Sequence, residues 1–279
     1  MADDPILVTG ATGRTGGAVV DALRGRAAVR AASRRATPVK GAEAVRLDYA
    51  DLTTHAPALE GVRRLFVLHP PGVPLERVTA FLDAAVAAGV RRAVVQSVRG
   101  AEESRVLPHR RTEAAVRERF PEWTVLRPAD YMQNLADVHR AAIRDHGEIA
   151  VPAGEGRSPF IDVADVGAVG ALALTEDGHA GEGYALTGLD ALTFGEVAVA
   201  LSDVLGRPIR YRSPAVPRFV WEQVRRYDRP VPMALVMSAL YTTQRFGRAG
   251  GVTGEVERLL GRPATSLRAF AMRERGAWE

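Results

Sequence analysis

Along the first 130 positions the apolar residues follow two rhythms. Short runs rich in β-branched residues, at residues 5–9, 28–33, 44–47, 64–68, 92–97 and 123–127, read as buried strands. Between most of them lie segments whose apolar residues recur three and four apart, at residues 16–24, 52–59, 74–88 and 108–119, the signature of amphipathic helices. Strands alternating with helices of this length predict βαβ units and a parallel sheet. Right-handed crossovers then favour a doubly wound sheet with helices on both faces and the strand order 3-2-1-4-5-6.

Beyond Pro128 the rhythm loosens. The pattern predicts helices at 134–145, 162–175 and 193–205, strands at 182–186 and 209–212, and a Gly/Pro-rich loop at 151–159. Thr193 and Glu196 have the spacing of a capping box at the start of the third helix. From residue 214 onward three or four helices are expected, broken by Pro217, Pro230, Pro232, the glycines between 247 and 254, and Pro263. The expected architecture is α/β: a Rossmann-type doubly wound parallel sheet over residues 1–150, followed by residues 151–279. That second stretch contributes late elements of the same fold and a small, mostly helical lid for a substrate. The chain carries no internal repeat and no low-complexity tract.

Candidate chemistry begins where the first strand ends. Ile6-Leu7-Val8-Thr9 runs into Gly10-Ala11-Thr12-Gly13-Arg14-Thr15-Gly16, and a helical pattern follows at once. Glycine is needed where a backbone turns tightly or must approach a pyrophosphate closely. The helix N-terminus then offers unpaired N–H groups and the positive end of its dipole to phosphate. Thr12, Arg14 and Thr15 add hydroxyls and a guanidinium.

Composition narrows the field. The chain has 279 residues, 47% of them hydrophobic and 25% charged, which is enough for a sizeable globular core. It has no cysteine, so disulfides, thiolate nucleophiles and iron–sulfur clusters are excluded. The six histidines form no His-x-His or His-Glu-x-x-His pattern, and no metal is expected. The net charge of +4 comes from arginines scattered along the whole chain rather than from a basic run, so nucleic acid is not an expected partner. No apolar run approaches the ~18 residues of a membrane span. The acidic start lacks the basic and apolar regions of a secretory leader, which makes the cytoplasm the expected location. The expected partner is a small-molecule substrate, and a homodimer is one assembly the sequence allows.

The spacing Gly-x-x-Gly-x-x-Gly resembles that of extended and atypical short-chain dehydrogenase/reductases, in particular the NmrA-like group. Three further segments resemble the same group: Thr124-Val125-Leu126-Arg127-Pro128 with Met132-Gln133-Asn134; Phe160-Ile161-Asp162-Val163-Ala164-Asp165-Val166; and Tyr184-Ala185-Leu186-Thr187-Gly188 with Leu192-Thr193. The resemblance spans nearly the whole chain. The group includes NADPH:quinone reductases, ergot-alkaloid-type iminium reductases and NADP(H)-sensing regulators, so it implies a nicotinamide cofactor without fixing catalysis.

The second strand ends Ala32-Ser33-Arg34-Arg35. An NAD enzyme places a carboxylate near this point for the ribose hydroxyls, and such a group would repel a 2′-phosphate. Two guanidiniums and a hydroxyl point instead to NADPH/NADP+, with Arg34, first after the strand, as the 2′-phosphate ligand. The resemblance implies that Asp48, beside Tyr49, faces the adenine amine. Leu68, His69 and Pro70 close the fourth strand, and Ser97 and Val98 the fifth, at the carboxyl edge where such sheets bind ligands.

Typical short-chain dehydrogenases use Tyr-x-x-x-Lys. The only lysine here is Lys40, too early in the chain for that pair. The matching place reads His109-Arg110-Arg111-Thr112-Glu113. His109 and Glu113 are four apart and share a helix face, so the carboxylate is expected to orient the imidazole or raise its pKa. His109 is the candidate proton donor, with Ser97 as a second candidate catalytic group. Tyr131, Met132, Asn134, Phe160 and Trp221 are the candidate substrate-pocket residues. The cofactor itself carries hydride chemistry, so the missing pair argues against alcohol oxidation more than against reduction. The expected function is an NADPH-dependent reductase acting on a small conjugated acceptor (a quinone, enone or imine). The alternative is a non-catalytic NADP(H)-sensing regulator that works through a protein partner.

Overall fold

A computed structural model describes residues 4–104, 107–247 and 251–279. In chain order the elements are β1 (Ile6–Thr9), α1 (Arg14–Leu23), β2 (Val29–Ser33), β3 (Glu43–Arg46), α2 (His55–Leu59), β4 (Arg64–Val67), α3 (Leu75–Ala87), β5 (Arg92–Gln96), α4 (Pro108–Arg119) and β6 (Glu122–Pro128). There follow α5 (Gln133–Ala136), α6 (Arg140–His146), β7 (Glu148–Ala150), β8 (Arg157–Ser158), α7 (Val163–Thr175), β9 (Glu182–Leu186), β10 (Leu192–Thr193), α8 (Phe194–Leu205), β11 (Arg210–Arg212), α9 (Val216–Arg226), α10 (Val231–Arg245), α11 (Glu255–Leu260) and α12 (Leu267–Arg273).

The chain forms two compact units that interleave along the sequence. The first takes Met1–Pro128, Val163–Leu186 and Glu255–Arg262; the second takes Ala129–Asp162, Thr187–Gly254 and Pro263–Glu279. A single boundary at residue 150 therefore does not describe the division. The strand β9 and helix α7 return to the first sheet after an excursion that builds part of the second unit, and α11 returns again near the end.

The first unit is a seven-stranded Rossmann-like sheet of order β3-β2-β1-β4-β5-β6-β9. Every pairing in it is parallel, with Ile6 opposite Val29 on one side and Arg64 on the other. The expected order over six strands holds, and β9 adds a seventh beside β6. Central strands such as Ile6–Thr9 are buried throughout because helices cover both faces. On one face Leu7, Leu65 and Val67 meet Val78, Phe81 and Leu82 of α3. Each of those side chains contributes about 1.5–3 kcal/mol by leaving water. Against α1 lies α7, whose nine buried residues leave almost no polar side.

In the second unit the predicted single helix over 134–145 is two short ones, α5 and α6. The loop predicted over 151–159 contains β8, which pairs antiparallel with β10, while β7 pairs parallel with β11. Thr193 and Glu196 form the capping box that starts α8. Phe160, Phe194, Leu201, Phe219, Phe270 and Trp278 belong to one core. No helix among the described residues is long and apolar enough to cross a membrane.

Candidate active site

In the first unit β1 hands the chain to the glycine loop at the carboxyl edge of the sheet. Gly10 adopts φ +63°, a conformation that strains any residue with a Cβ. The Gly13 N–H closes the turn on the Gly10 carbonyl at 2.9 Å. Gly16 packs so tightly beneath the loop that a Cβ there would fall on the Gly10 carbonyl. Gly13 is the N-cap of α1 and no side chain caps the helix. The positive end of the helix dipole therefore lies at the loop, where it favours an anion.

The loop forms one wall of a cleft of about 590 Å³. Gly10, Thr12 and Gly13 line it, as do Ser33 and Arg34 after β2, Asp48 and Tyr49 after β3, and Leu68 and Pro70 after β4. Arg34 is exposed and makes no ion pair among the described residues; Arg35 does not line the cleft. No carboxylate follows β2 here. Asp48 uses Oδ1 to accept a hydrogen bond from the Ala50 N–H at 2.9 Å, which fixes its turn. The Tyr49 hydroxyl is buried and donates to the Leu68 carbonyl at 2.9 Å, so Tyr49 offers the cleft no free hydroxyl. Thr9 ties β1 to β4 by donating to the Phe66 carbonyl and accepting from the Leu68 N–H.

Six of the residues singled out with this cleft do not line it. Thr15 and Gly16 are buried under the loop, and Arg14 lies beside Gly17 and Ala18 on another surface of α1. His69 borders a separate cavity of about 390 Å³ together with His109, Pro108 and Arg111. Its Nε2 is 2.7 Å from the Val73 carbonyl and its Nδ1 2.7 Å from the Thr112 hydroxyl. A carbonyl only accepts, so Nε2 carries a proton, and Nδ1 pairs with the Thr112 hydroxyl. Ser97 is fully buried, and Val98 after it is half-buried.

The expected His109–Glu113 partnership is not formed. Glu113, 2% exposed, accepts from Arg127 at 3.0 and 2.7 Å and from the Ser97 hydroxyl at 2.5 Å. Burial pushes its pKa up. The hydrogen bonds from Arg127 and Ser97, with the charges of Arg127 and Arg117, more than offset this and leave it below the usual glutamate range. His109 is half-buried and its Nδ1 has no partner. Burial and the neighbouring His69 lower its pKa more than Glu113 raises it, so the expected upward shift is reversed. The Ser97 hydroxyl, spent on Glu113, is not placed to donate to a substrate. Arg127 was not singled out as a site residue, although a charge next to the apolar run of a central strand signals a buried partner.

The second unit holds its own cavity, of about 190 Å³. Asn134 and Phe160 line it as expected. Met132 is packed into the core instead, and Tyr131 is half-buried away from the lining, its backbone bridged to Ile161. Trp221 is a correction: it is 63% exposed and lies outside the cavity. On α9 the inward positions are Phe219, Glu222 and Gln223, and a residue two positions from Phe219 sits on the far side of a helix with ~3.6 residues per turn.

Asp130, His139, Tyr241 and Gln244 complete the polar lining and were not anticipated. Asp130 Oδ2 accepts from the Ser158 hydroxyl at 2.6 Å and from the Gln244 amide. Burial pushes the Asp130 carboxyl up, against those two hydrogen bonds. His139 is buried and sits 2.8 Å from the Tyr241 hydroxyl, and burial together with the Arg229 charge pushes its pKa down to about 3. Among the described residues no group of three His, Asp or Glu side chains is arranged to hold a metal ion.

The NmrA-like family model matches residues 2–272. The chain is 35% identical to an NAD(P)H azoreductase from Xenophilus azovorans, over 95% of this chain and 96% of that one. It is 36% identical to a (4-alkanoyl-5-oxo-2,5-dihydrofuran-3-yl)methyl phosphate reductase from Streptomyces griseus, again over 95% of this chain and 96% of the other. Among solved structures, the Citrobacter sp. triphenylmethane reductase complexed with NADP(H) superimposes with a TM-score of 0.84 at 27% identity, covering 97% of this chain and 99% of that one.

Proposed function

This chain belongs to the NmrA-like family, and from that premise we propose that it is an NADPH-dependent oxidoreductase delivering hydride to a small conjugated acceptor: a quinone, an enone or an imine. The observation that carries the reading is the cleft of the first unit. Its glycine cradle would be filled by a Cβ at residue 16, its helix N-terminus is uncapped, and Arg34 borders it where no carboxylate follows β2. These groups fit a dinucleotide with a 2′-phosphate. The relatives whose names include NAD(P)H azoreductase and triphenylmethane reductase complexed with NADP(H) support the same cofactor and a reductive direction.

When bound, NADPH supplies the hydride. In this reading the start of α1 would hold the diphosphate, Arg34 would hold the 2′-phosphate, and Asp48 and Tyr49 would border the adenine. The buried Ser97–Glu113–Arg127 network fixes the end of β5. His109 is neutral near pH 7 and has an unpartnered Nδ1; it relays a proton from water rather than storing one. An acceptor that is already polarised needs little acid assistance, consistent with the absence of Tyr-x-x-x-Lys.

The test begins with NADPH binding to the purified chain. NADPH oxidation is then followed by near-UV absorbance against a panel of quinones, enones and cyclic imines. Turnover with one class establishes the reductase and names its acceptor. Tight NADPH binding without turnover on any class overturns the catalytic reading in favour of a cofactor-sensing regulator.

A further inference from the structure

The cavity of about 390 Å³ beside His69 shares a wall with the cofactor cleft. Pro70, Pro71, Gly72 and Val73, in the turn between β4 and α3, line both spaces. Its volume falls in the ~300–1,000 Å³ range of small-molecule pockets. His69 braces it. The ring reaches the Val73 carbonyl in its own turn and the Thr112 hydroxyl on α4, each at 2.7 Å, so the turn and the helix that flank the cavity are tied together. Both ring nitrogens of His69 are taken by these contacts.

Two polar groups of the lining are unspent. Arg111, in the first turn of α4, is exposed and makes no hydrogen bond or ion pair among the described residues. His109 has a buried Nδ1 without a partner, and its Nε2 is neither buried nor hydrogen-bonded among the described residues, so Nε2 is the nitrogen a ligand reaches. No aspartate or glutamate lines the cavity; Glu113, one turn further along α4, is turned to Ser97 and Arg127. The rest of the lining, including Leu75 and Pro108, is apolar.

That combination selects by charge. A cation would meet Arg111 with no counter-charge beside it, and a neutral molecule would leave the guanidinium to water. A carboxylate accepts from the guanidinium fork, which matches it in shape, and from the His109 ring when Nε2 carries the proton. The prolines and Leu75 take up the hydrocarbon part. We propose that this cavity is a binding site for a small organic carboxylate with an apolar body, held by Arg111 and His109 next to the cofactor cleft. The site stands on the cavity alone and does not need the reductase reading. The carboxylate comes either as a free ligand or as an anionic group of the acceptor, and the experiment separates the two.

Calorimetric titration of the full chain at pH 7 compares three probes of one shape: benzoate, benzamide and benzamidine. Benzoate binds about fivefold or more tightly than the other two, a margin kept modest because water screens Arg111. Arg111→Gln brings benzoate to the level of benzamide. Arg110→Gln, at an exposed neighbour outside the lining, leaves benzoate binding unchanged. Circular dichroism of the same samples shows that each variant is folded. NADPH oxidation with 1,4-naphthoquinone and its 2-carboxylate then identifies the source. Arg111→Gln lowers kcat/KM severalfold for the carboxylate alone if the acceptor brings the anion, and leaves the ratio of the two quinones unchanged if the ligand is free. Benzamide or benzamidine binding as tightly as benzoate overturns the proposal. So does benzoate binding that is untouched by Arg111→Gln, weakened equally by Arg110→Gln, or absent from the folded wild type; each of these leaves the reductase reading standing. Failure to turn over either quinone, with benzoate bound through Arg111, counts against the reductase reading alone.

Discussion

Glu113 on α4 and Arg127 on β6 face each other through paired hydrogen bonds of 3.0 and 2.7 Å, both side chains almost wholly buried. Ser97, at the end of β5, donates to the same carboxylate, so three elements converge on one charge. Glu113→Gln leaves a buried guanidinium without its main counter-charge. Breaking a buried pair costs about 3–5 kcal/mol, and the expected loss is at the lower end because Glu102 also reaches Arg127 at 3.2 Å. Urea unfolding of the variant at pH 7 measures it. The pH dependence has a definite sign. The folded pKa of Glu113 lies below its unfolded value. Its contribution is therefore complete above about pH 4.3, the unfolded value, and is lost as the pH falls through the lower folded one. The variant should lose less stability on acidification than the wild type.

His139 gives a second pH effect in a different window. Its pKa falls from 6.5 to about 3 on burial. Between those values the unfolded chain binds a proton that the folded chain does not, so stability falls as the pH drops below 6.5. At about 1.4 kcal/mol per pH unit, the contribution between pH 7 and 5 is about 2 kcal/mol. His139→Gln should reduce the fall in stability over that range by this amount. Equal pH slopes in variant and wild type would count against a neutral, buried His139.

Neighbouring glycines in α1 should respond in opposite directions. A Cβ at Gly16 falls on the Gly10 carbonyl, whereas one at Gly17 meets its nearest atom, the Ala11 carbonyl oxygen, at an ordinary 3.4 Å. Gly16→Ala is expected to destabilise the chain and to weaken NADPH binding, since the loop must move. Gly17→Ala should stabilise by about 0.5–1 kcal/mol through helix propensity and a less flexible unfolded chain. Thermal and urea unfolding of the two variants in parallel would show the contrast.

Arg34 borders the cleft without an acidic partner among the described residues. Arg34→Ala should weaken NADPH binding about tenfold or more, the value of one charge-assisted hydrogen bond to phosphate. NADH binding should change little. Fluorescence titration with both cofactors reads the difference, and equal weakening of the two would remove Arg34 from the 2′-phosphate.

The elements read most easily were those set by local pattern. The alternation of apolar runs and helical segments to residue 128 determined the six-strand order, because a strand buried on both faces and a helix with one apolar stripe have distinct periods. The glycine loop was legible because its conformation is a property of those residues. The Thr193–Glu196 cap was legible for the same reason, since both partners lie within one turn. The lack of Tyr-x-x-x-Lys followed from a single lysine at position 40.

What depended on distant partners was not legible. Glu113 was matched with His109, its neighbour on the helix, and the structure gives it to Ser97 and Arg127 instead. A sequence displays the i,i+4 neighbour but not which strand passes behind the helix. Trp221 was assigned to a pocket by residue type and lies outside it because Phe219 sets the inward face of α9. Asp130, His139, Tyr241 and Gln244 come from segments up to 114 residues apart. The sequence by itself determined the order of six of the seven strands, the loop and the absence of one catalytic pair. Only tertiary structure decided which polar groups are buried together. Burial, partner and charge state arise when separate segments pack and exclude water, and no local pattern encodes that packing.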